Sequence, residues 1–338
     1  MKKIISIWVL LALGTSSWAA LFTRTADGNW SALSQWSDKG SGKFAASTVL
    51  PGSKDTVVVN SNKKVTLDTD ATVALFQIIN TAQNATVDVD GEKTLTTKSI
   101  QLGVMGTGAG ILNQVAGTIS SPATVVGRAT GESGVFNVQG GTFDMGGKLT
   151  IGGTGVLNVN GGKLSNSFDG AVRTITGSGL LKISSGAIQL KGAQASDAVD
   201  LNSALFEVSG GTVDLGAQVR VGNGASSEFR VAGDAAKITF DSLDQATAAK
   251  GTFKFVFGAN GISTICVKDA LQLSNAKIVV DGSAYTGAGG TFTLFNSENL
   301  TSPADASNIT VTGFGARTAN VVQDKTGGKG RVQLVVAP

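Results

Sequence analysis

Apolar and polar residues alternate in short runs, and the runs return at a nearly constant spacing. Gly134-Val-Phe-Asn-Val-Gln-Gly-Gly-Thr-Phe143, Gly155-Val-Leu-Asn-Val-Asn-Gly-Gly-Lys-Leu164, Gly179-Leu-Leu-Lys-Ile-Ser-Ser-Gly-Ala-Ile188 and Ala204-Leu-Phe-Glu-Val-Ser-Gly-Gly-Thr-Val213 are copies of one unit. Each copy is a short strand, a polar or glycine corner and a second short strand. The first inward apolar residue of each copy marks the repeat. Leu112, Phe136, Leu157, Leu181, Phe206 and Phe229 lie 24, 21, 24, 25 and 23 residues apart. Weaker copies at Val65, Val87, Phe253 and Ile278 bring the series to ten markers. A second marker, Val126-Gly127, Ile151-Gly152 and Val221-Gly222, runs in phase, which predicts about three short strands per repeat.

Alternation such as Phe136-Asn137-Val138 places two apolar side chains on one face and the polar one on the other. No helical stretch separates the repeats. One repeat can neither cover its apolar side chains nor pair its backbone, whereas stacked neighbours do both. The pattern therefore predicts an all-β fold, a parallel β-helix (β-solenoid) of about ten coils of ~24 residues, with capping strands at both ends. The predicted organisation is a secretory signal peptide over 1–20, an N-terminal cap and lead-in strand over 21–60, the β-helix over 61–285 and an antiparallel C-terminal cap over 286–338. In the last of these, Thr291–Phe295, Ile309–Val311 and Arg331–Val336 read as strands, with Gly327–Gly330 as a hairpin turn.

Composition changes the picture in three places. Glycine accounts for 46 of 338 residues and proline for only 4. That glycine share is about twice the ordinary ~7% and fits many tight corners that need positive φ. Lys2 and Lys3, the apolar run Ile4–Gly14 and the small residues before Ala19 and Ala20 form a secretory signal, with cleavage expected near Ala19/Ala20. That apolar run is too short to span a membrane, and no spanning segment is expected in the mature chain. Without Lys2 and Lys3, 25 basic residues face 24 acidic ones, and they are scattered singly, which speaks against a nucleic-acid partner. Cys266 is the single cysteine, so no intrachain disulfide can form. In Ile265-Cys266-Val267 it is expected to be a small buried apolar side chain. With no histidine in the chain, it has no histidine base to act as a nucleophile.

Stacking also predicts columns of outward side chains. Asn113, Asn137, Asn158, Lys182, Glu207 and Arg230 should form one, with an amide ladder at Asn137–Asn158 and alternating charge from Lys182 to Arg230. Thr118, Thr142, Lys163, Ala187, Thr212 and Lys237 should form another, too interrupted for a flat ice- or crystal-binding array. Among the carboxylates, Asp144 and Asp214 fall at equivalent places about three coils apart. At roughly 4.8 Å per coil that is about 14 Å, too far for a glycosidase pair. Asp68, Asp70, Asp88 and Asp90 make the densest acidic patch, with Asp68 and Asp88 expected on adjacent coils and read as solvated edge charges. Trp30 and Trp36 are expected to cover the first coil; the alternative is a platform for stacking sugars.

The segments Gly28-Asn-Trp-Ser and Gln35-Trp-Ser37, then Leu50-Pro-Gly-Ser-Lys-Asp-Thr-Val57, the repeated Gly-Gly-Thr-Phe and Ile-Gly-Gly-Thr-Gly units, and the closing strands from Gly290 to Val336 resemble secreted bacterial β-helix proteins of the autotransporter-passenger type. The resemblance implies a right-handed coil and export. It departs from that family in one respect: no series of barrel-length strands follows Ile278. The expected function is a non-enzymatic structural or adhesive scaffold, secreted or at the cell surface. Its expected partners are copies of itself, extracellular polysaccharide or the cell surface. No catalytic residue, metal ligand or cofactor site is expected. The alternatives are a polysaccharide lyase or glycoside hydrolase on a β-helix, and a carbohydrate-binding module using Trp30 and Trp36.

Overall fold

The computed structural model describes residues 19–38, 45–60, 62–79, 84–104, 107–128, 131–167, 173–192, 198–222, 226–245, 251–325 and 329–338. Most of the expected signal peptide, and Gly327 and Gly328 of the expected turn, lie outside them. The described residues form 28 strands in one hydrogen-bonded sheet, wound as a parallel β-solenoid.

One turn shows how the sequence makes a coil. Ser133–Val138 lays down a first face, here face A. Gly140 and Gly141 turn the corner, and Thr142–Ile151 runs along face B, bends at Gly146 and continues along face C. The chain then returns to face A at Val156, directly above Val135. Phe136, Val138, Phe143, Met145, Leu149 and Ile151 all point inward and are fully buried. Between them Asn137, Asp144 and Thr150 are only half-buried on the outside, as the alternation requires.

The corner between faces A and B explains much of the glycine. Gly141 has φ +64°, and a Cβ there would lie 2.1 Å from the carbonyl oxygen of Gly117 one coil below. That carbonyl accepts a hydrogen bond from the Thr142 amide at 2.9 Å, and the Gly141 carbonyl accepts one from the Lys163 amide, also at 2.9 Å. Consecutive corners therefore stack backbone on backbone, and a side chain would wedge them apart. The bend between faces B and C is fastened differently, by buried hydroxyls. Ser121 Oγ donates to the Ala123 carbonyl at 2.8 Å, and Thr97 Oγ1 donates to the Ser99 carbonyl at 3.0 Å.

All ten markers stand in one inward column on face A. Val65 pairs with Val87, Val87 with Leu112, and the pairing continues through Phe136, Leu157, Leu181, Phe206, Phe229 and Phe253 to Ile278. The regular coil is shorter than the ten turns expected: about eight turns of ~24 residues. The outermost markers sit in turns that merge with the end structures.

At the N-terminal end Leu21–Arg24 runs parallel to Thr56–Val59, which runs parallel to Leu75–Ile78, so face C begins before the first marker. The other edge of Leu21–Arg24 pairs antiparallel with Trp36–Asp38. Trp30 and Trp36 are 1% and 0% exposed, pack edge-on at 4.9 Å, and are tied by a 2.8 Å bond from Trp36 Nε1 to the Trp30 carbonyl. The buried Arg24 guanidinium stacks 4.8 Å from the Trp36 ring and donates to the carbonyls of Ala26 and Asn29 and to the Gln35 side chain. Burial holds its pKa below the ordinary arginine value, against the pull of Asp27 and Asp68.

At the C-terminal end the expected three-strand antiparallel cap is only partly right. Ile309–Thr312 pairs in parallel with Lys277–Asp281 and so continues face A. The antiparallel strands are Gly290–Ser302, Gly330–Val336 and Ala319–Asp324, the last not foreseen. Gly330–Val336 lies between the other two. Phe257, Tyr285, Phe292 and Phe314 fill the space beneath with edge-on ring contacts.

Candidate functional surface

The interior of the coil is mostly apolar, with a few buried polar side chains such as Gln114 and Gln245, and most of the polar groups stand on its outward columns. The expected ladder on face A forms, and it is longer than foreseen. Asn158 Nδ2 donates to Asn137 Oδ1 at 2.9 Å, Asn137 Nδ2 to Asn113 Oδ1 at 2.8 Å, and Asn113 Nδ2 to Asp88 Oδ1 at 2.8 Å. The amides thus share one polarity and end on a carboxylate, which Lys64 Nζ reaches at 3.0 Å. Each bond in such a chain polarises the next. Above Asn158 the column turns ionic. Lys182 Nζ lies 2.8 Å from Glu207 Oε1, and Arg230 Nη1 lies 3.2 Å from Glu207 Oε2. Burial works to raise the Glu207 pKa, but the hydrogen bonds and charges of Lys182 and Arg230 outweigh it and hold the carboxyl below its ordinary value.

Asp68 and Asp88 lie on adjacent coils as expected, but each carboxylate is committed to its own neighbours. Asp88 stands in register with Thr66 and Asn113, and not with Asp68. Asp68 accepts hydrogen bonds from the Ser31 amide and hydroxyl at 2.9 and 2.5 Å, which tie the N-terminal segment to the coil. Burial pushes its pKa up, yet these bonds and nearby Lys93 leave the net shift downward. Asp70 accepts from the Thr94 amide one coil on, and Asp90 from the Gly91 amide. Asp144 and Asp214 stand in one face B column with Ser165 and Gln189 between them, three coils apart as the arithmetic required. Asp144 binds the Ser167 amide and hydroxyl. Lys268 Nζ lies 2.7 Å from Asp241 Oδ1 and 3.9 Å from Asp214 Oδ1. The threonine column also has the expected register, from Thr118 through Thr142, Lys163, Ala187 and Thr212 to Lys237.

One expectation and one alternative fail on burial. Cys266 is exposed. Ile265 and Val267 take the inward positions of its strand, and alternation turns the thiol out. Trp30 and Trp36 are interior residues, so neither indole face is open to a sugar. Among the described residues no group of three or more His, Cys, Asp or Glu side chains is placed to hold a metal ion, and no helix is long and apolar enough to cross a membrane.

One surface feature was missed. The residue before each marker also faces outward, and on five successive coils it is aliphatic: Ile111, Val135, Val156, Leu180 and Leu205 stand in register on face A. All five are half-buried. The signal was present as paired apolar residues, such as Val135-Phe136 and Leu180-Leu181, that break strict alternation. A shallow groove of about 290 Å³, lined by Ser178, Ser203, Leu205, Ser226, Ser227 and Glu228, runs beside the stripe.

Comparison with protein-family models, with curated proteins and with solved structures finds no match.

Proposed function

We propose that this chain is an exported structural or adhesive protein of the passenger type, a rigid β-solenoid that works as a scaffold at the cell exterior. The observation that best supports this reading is how the polar surface is used. The face A ladder bonds seven coils in two runs, four from Asp88 to Asn158 and three from Lys182 to Arg230, and Asp68, Asp70 and Asp144 clamp backbone of neighbouring segments. These groups stiffen a rod. Stability in such a stack is a sum of neighbour terms, so bonds between coils resist local opening where a long thin fold is weakest. The amino-terminal signal supplies the route out of the cytoplasm.

The test is localisation in the native host. Antibody labelling of intact cells, with fractionation of cells and medium, should place the protein on the surface or in the surrounding matrix. Retention in the cytosol would overturn the export reading. Depolymerisation of an acidic or neutral polysaccharide, lost on Asp88→Ala, would overturn the scaffold reading in favour of an enzyme.

A further inference from the structure

We infer that face A is a self-association surface, and that two copies of this chain pair across it with their coils running in opposite directions. The inference rests on the outward stripe Ile111–Val135–Val156–Leu180–Leu205 and the polar ladder beside it. An aliphatic column open along five coils is the kind of surface a partner covers. A partner lying along the coil axis has to match a repeat of about 4.8 Å, and a second copy matches it at every coil.

The charges choose the direction. Place a two-fold axis along the strand direction at Val156. Val156 then faces the second copy's Val156, Val135 faces Leu180, and Ile111 faces Leu205. The ladder follows in step, because Asn113, Asn137, Asn158, Lys182, Glu207 and Arg230 share the stripe's strands. Asn137 meets the second copy's Lys182, Asn113 meets its Glu207, and Asp88 meets its Arg230. Every ladder charge in this span finds an opposite charge or an amide, and Glu228 in the stripe column meets the Thr86 hydroxyl and not a like charge. Pairing in the same direction about the coil axis instead sets the residue flanking the stripe, Glu228, against itself, and does the same to Lys64 and Lys277 in that column. Like charges directly opposed disfavour an interface.

The size of the face sets the strength. Ten face A strands span about 43 Å, and four residues of strand give a width of about 13 Å. That buries roughly 1,100 Å² over both copies, just under the usual range for specific complexes. The dimer is therefore reversible and depends on concentration. This inference does not rest on the exported-scaffold reading, and its failure would leave the localisation result untouched.

The experiment uses the mature chain. Sedimentation equilibrium should show monomer and dimer exchanging with concentration. Leu180→Asp should weaken the dimer at least about tenfold, since two buried leucines are lost per pair, and leave the melting curve unchanged at concentrations where the chain is monomeric. Lys148→Glu on face C should leave association as it is. Disulfide trapping reads the direction. In a Cys266→Ser background, Val156→Cys should cross-link to itself on mild oxidation. Ile111→Cys alone should not, but a mixture of Ile111→Cys and Leu205→Cys chains should. A monomer at every concentration, a dimer indifferent to Leu180→Asp, or equal cross-linking by Val156→Cys and Ile111→Cys would each overturn the inference. So would a monomer held on a polysaccharide matrix and released by Leu180→Asp, which would assign the stripe to a saccharide.

Discussion

Gly141→Ala separates two costs that a corner glycine usually confounds. Gly141 and Gly91 have nearly the same backbone, φ +64° and +65°. Any L-residue there meets the left-handed penalty of about 1–2 kcal/mol. Their surroundings differ. A Cβ on Gly91 meets nothing within 4 Å, whereas one on Gly141 falls 2.1 Å from the Gly117 carbonyl oxygen and 2.7 Å from the Ala116 carbonyl carbon. Those atoms are backbone, held by the 2.9 Å bond from the Thr142 amide to the Gly117 carbonyl. Moving them adds an overpacking cost of about 1–3 kcal/mol and weakens a hydrogen bond worth about 0.5–1.5 kcal/mol. Gly141→Ala should therefore cost roughly 3–6 kcal/mol against about 1–2 kcal/mol for Gly91→Ala. Urea unfolding followed by circular dichroism compares the two. Amide hydrogen exchange should place the Gly141 defect at Thr142 and Lys163, the residues bonded through this corner. Equal losses in the two variants would refute the claim that corners stack backbone on backbone.

Other outcomes follow from the same contacts. Asn137→Ala removes the ladder bonds to Asn113 and Asn158 and should lower unfolding stability by about 1–2 kcal/mol; no change would show that the amides gain nothing over water. Because Glu207 has a lowered pKa in the folded state, its contribution is present above the unfolded value of about 4.3 and is lost as pH falls through the folded one. The stability gap between the native chain and Glu207→Gln should accordingly close on acidification below about pH 4.3, and a gap constant from pH 7 to pH 3 would contradict the assignment. Cys266 should react fully with a thiol reagent in the folded protein, whereas reaction only after unfolding would return it to the interior. After removal of residues 1–20 the only tryptophans are Trp30 and Trp36, so fluorescence reports the N-terminal cap. Acrylamide should quench it weakly in the native state and strongly in urea; strong native quenching would mean that the indoles are open.

The fold was legible because a solenoid writes its register into its period. Once Leu112, Phe136 and Leu157 were aligned, the partners of Asn113, Asn137 and Asn158 followed by counting, and the bonds found there are the ones stacking requires. What the period does not carry was read less well. The apolar neighbours Ile265 and Val267 suggest a buried Cys266, but both are inward residues and alternation between them turns the thiol out. Asp68 and Asp88 do fall on adjacent coils, as counting gives, but the period says nothing of their bonds: the pairing of Leu67 with Val89 sets Asp68 level with Asp90, and Asp68 turns to the Ser31 segment. Ile309–Thr312 resembles the antiparallel strands around it in composition, and only its pairing with Lys277–Asp281 makes it a coil strand. The aliphatic stripe is hard to see in the sequence because Val135 and Leu180 adjoin the core residues Phe136 and Leu181, and composition alone does not separate an outward aliphatic from an inward one.

The two ends of the rod bear on where association occurs. A parallel stack grows axially only if its last strand offers a free edge in the right direction. At the N-terminal end of face C that edge is occupied, because Leu21–Arg24 pairs antiparallel with Trp36–Asp38. At the C-terminal end of face B, Phe295, Asn296 and Ser297 pair antiparallel with Val332, Arg331 and Gly330. Each end therefore blocks one face with a strand running the wrong way, and a further coil cannot dock on all three faces at once. Face A alone continues to Ile309–Thr312, and its Ile309 and Val311 are drawn inward against the core while Thr310 and Thr312 face out. Axial polymerisation is thus disfavoured at both ends, whereas the side of face A carries an uncharged aliphatic column across the middle five coils. A chain built this way is expected to associate by its flank and not by its ends, which is why cross-linking along face A, and not filament growth, is the decisive observation.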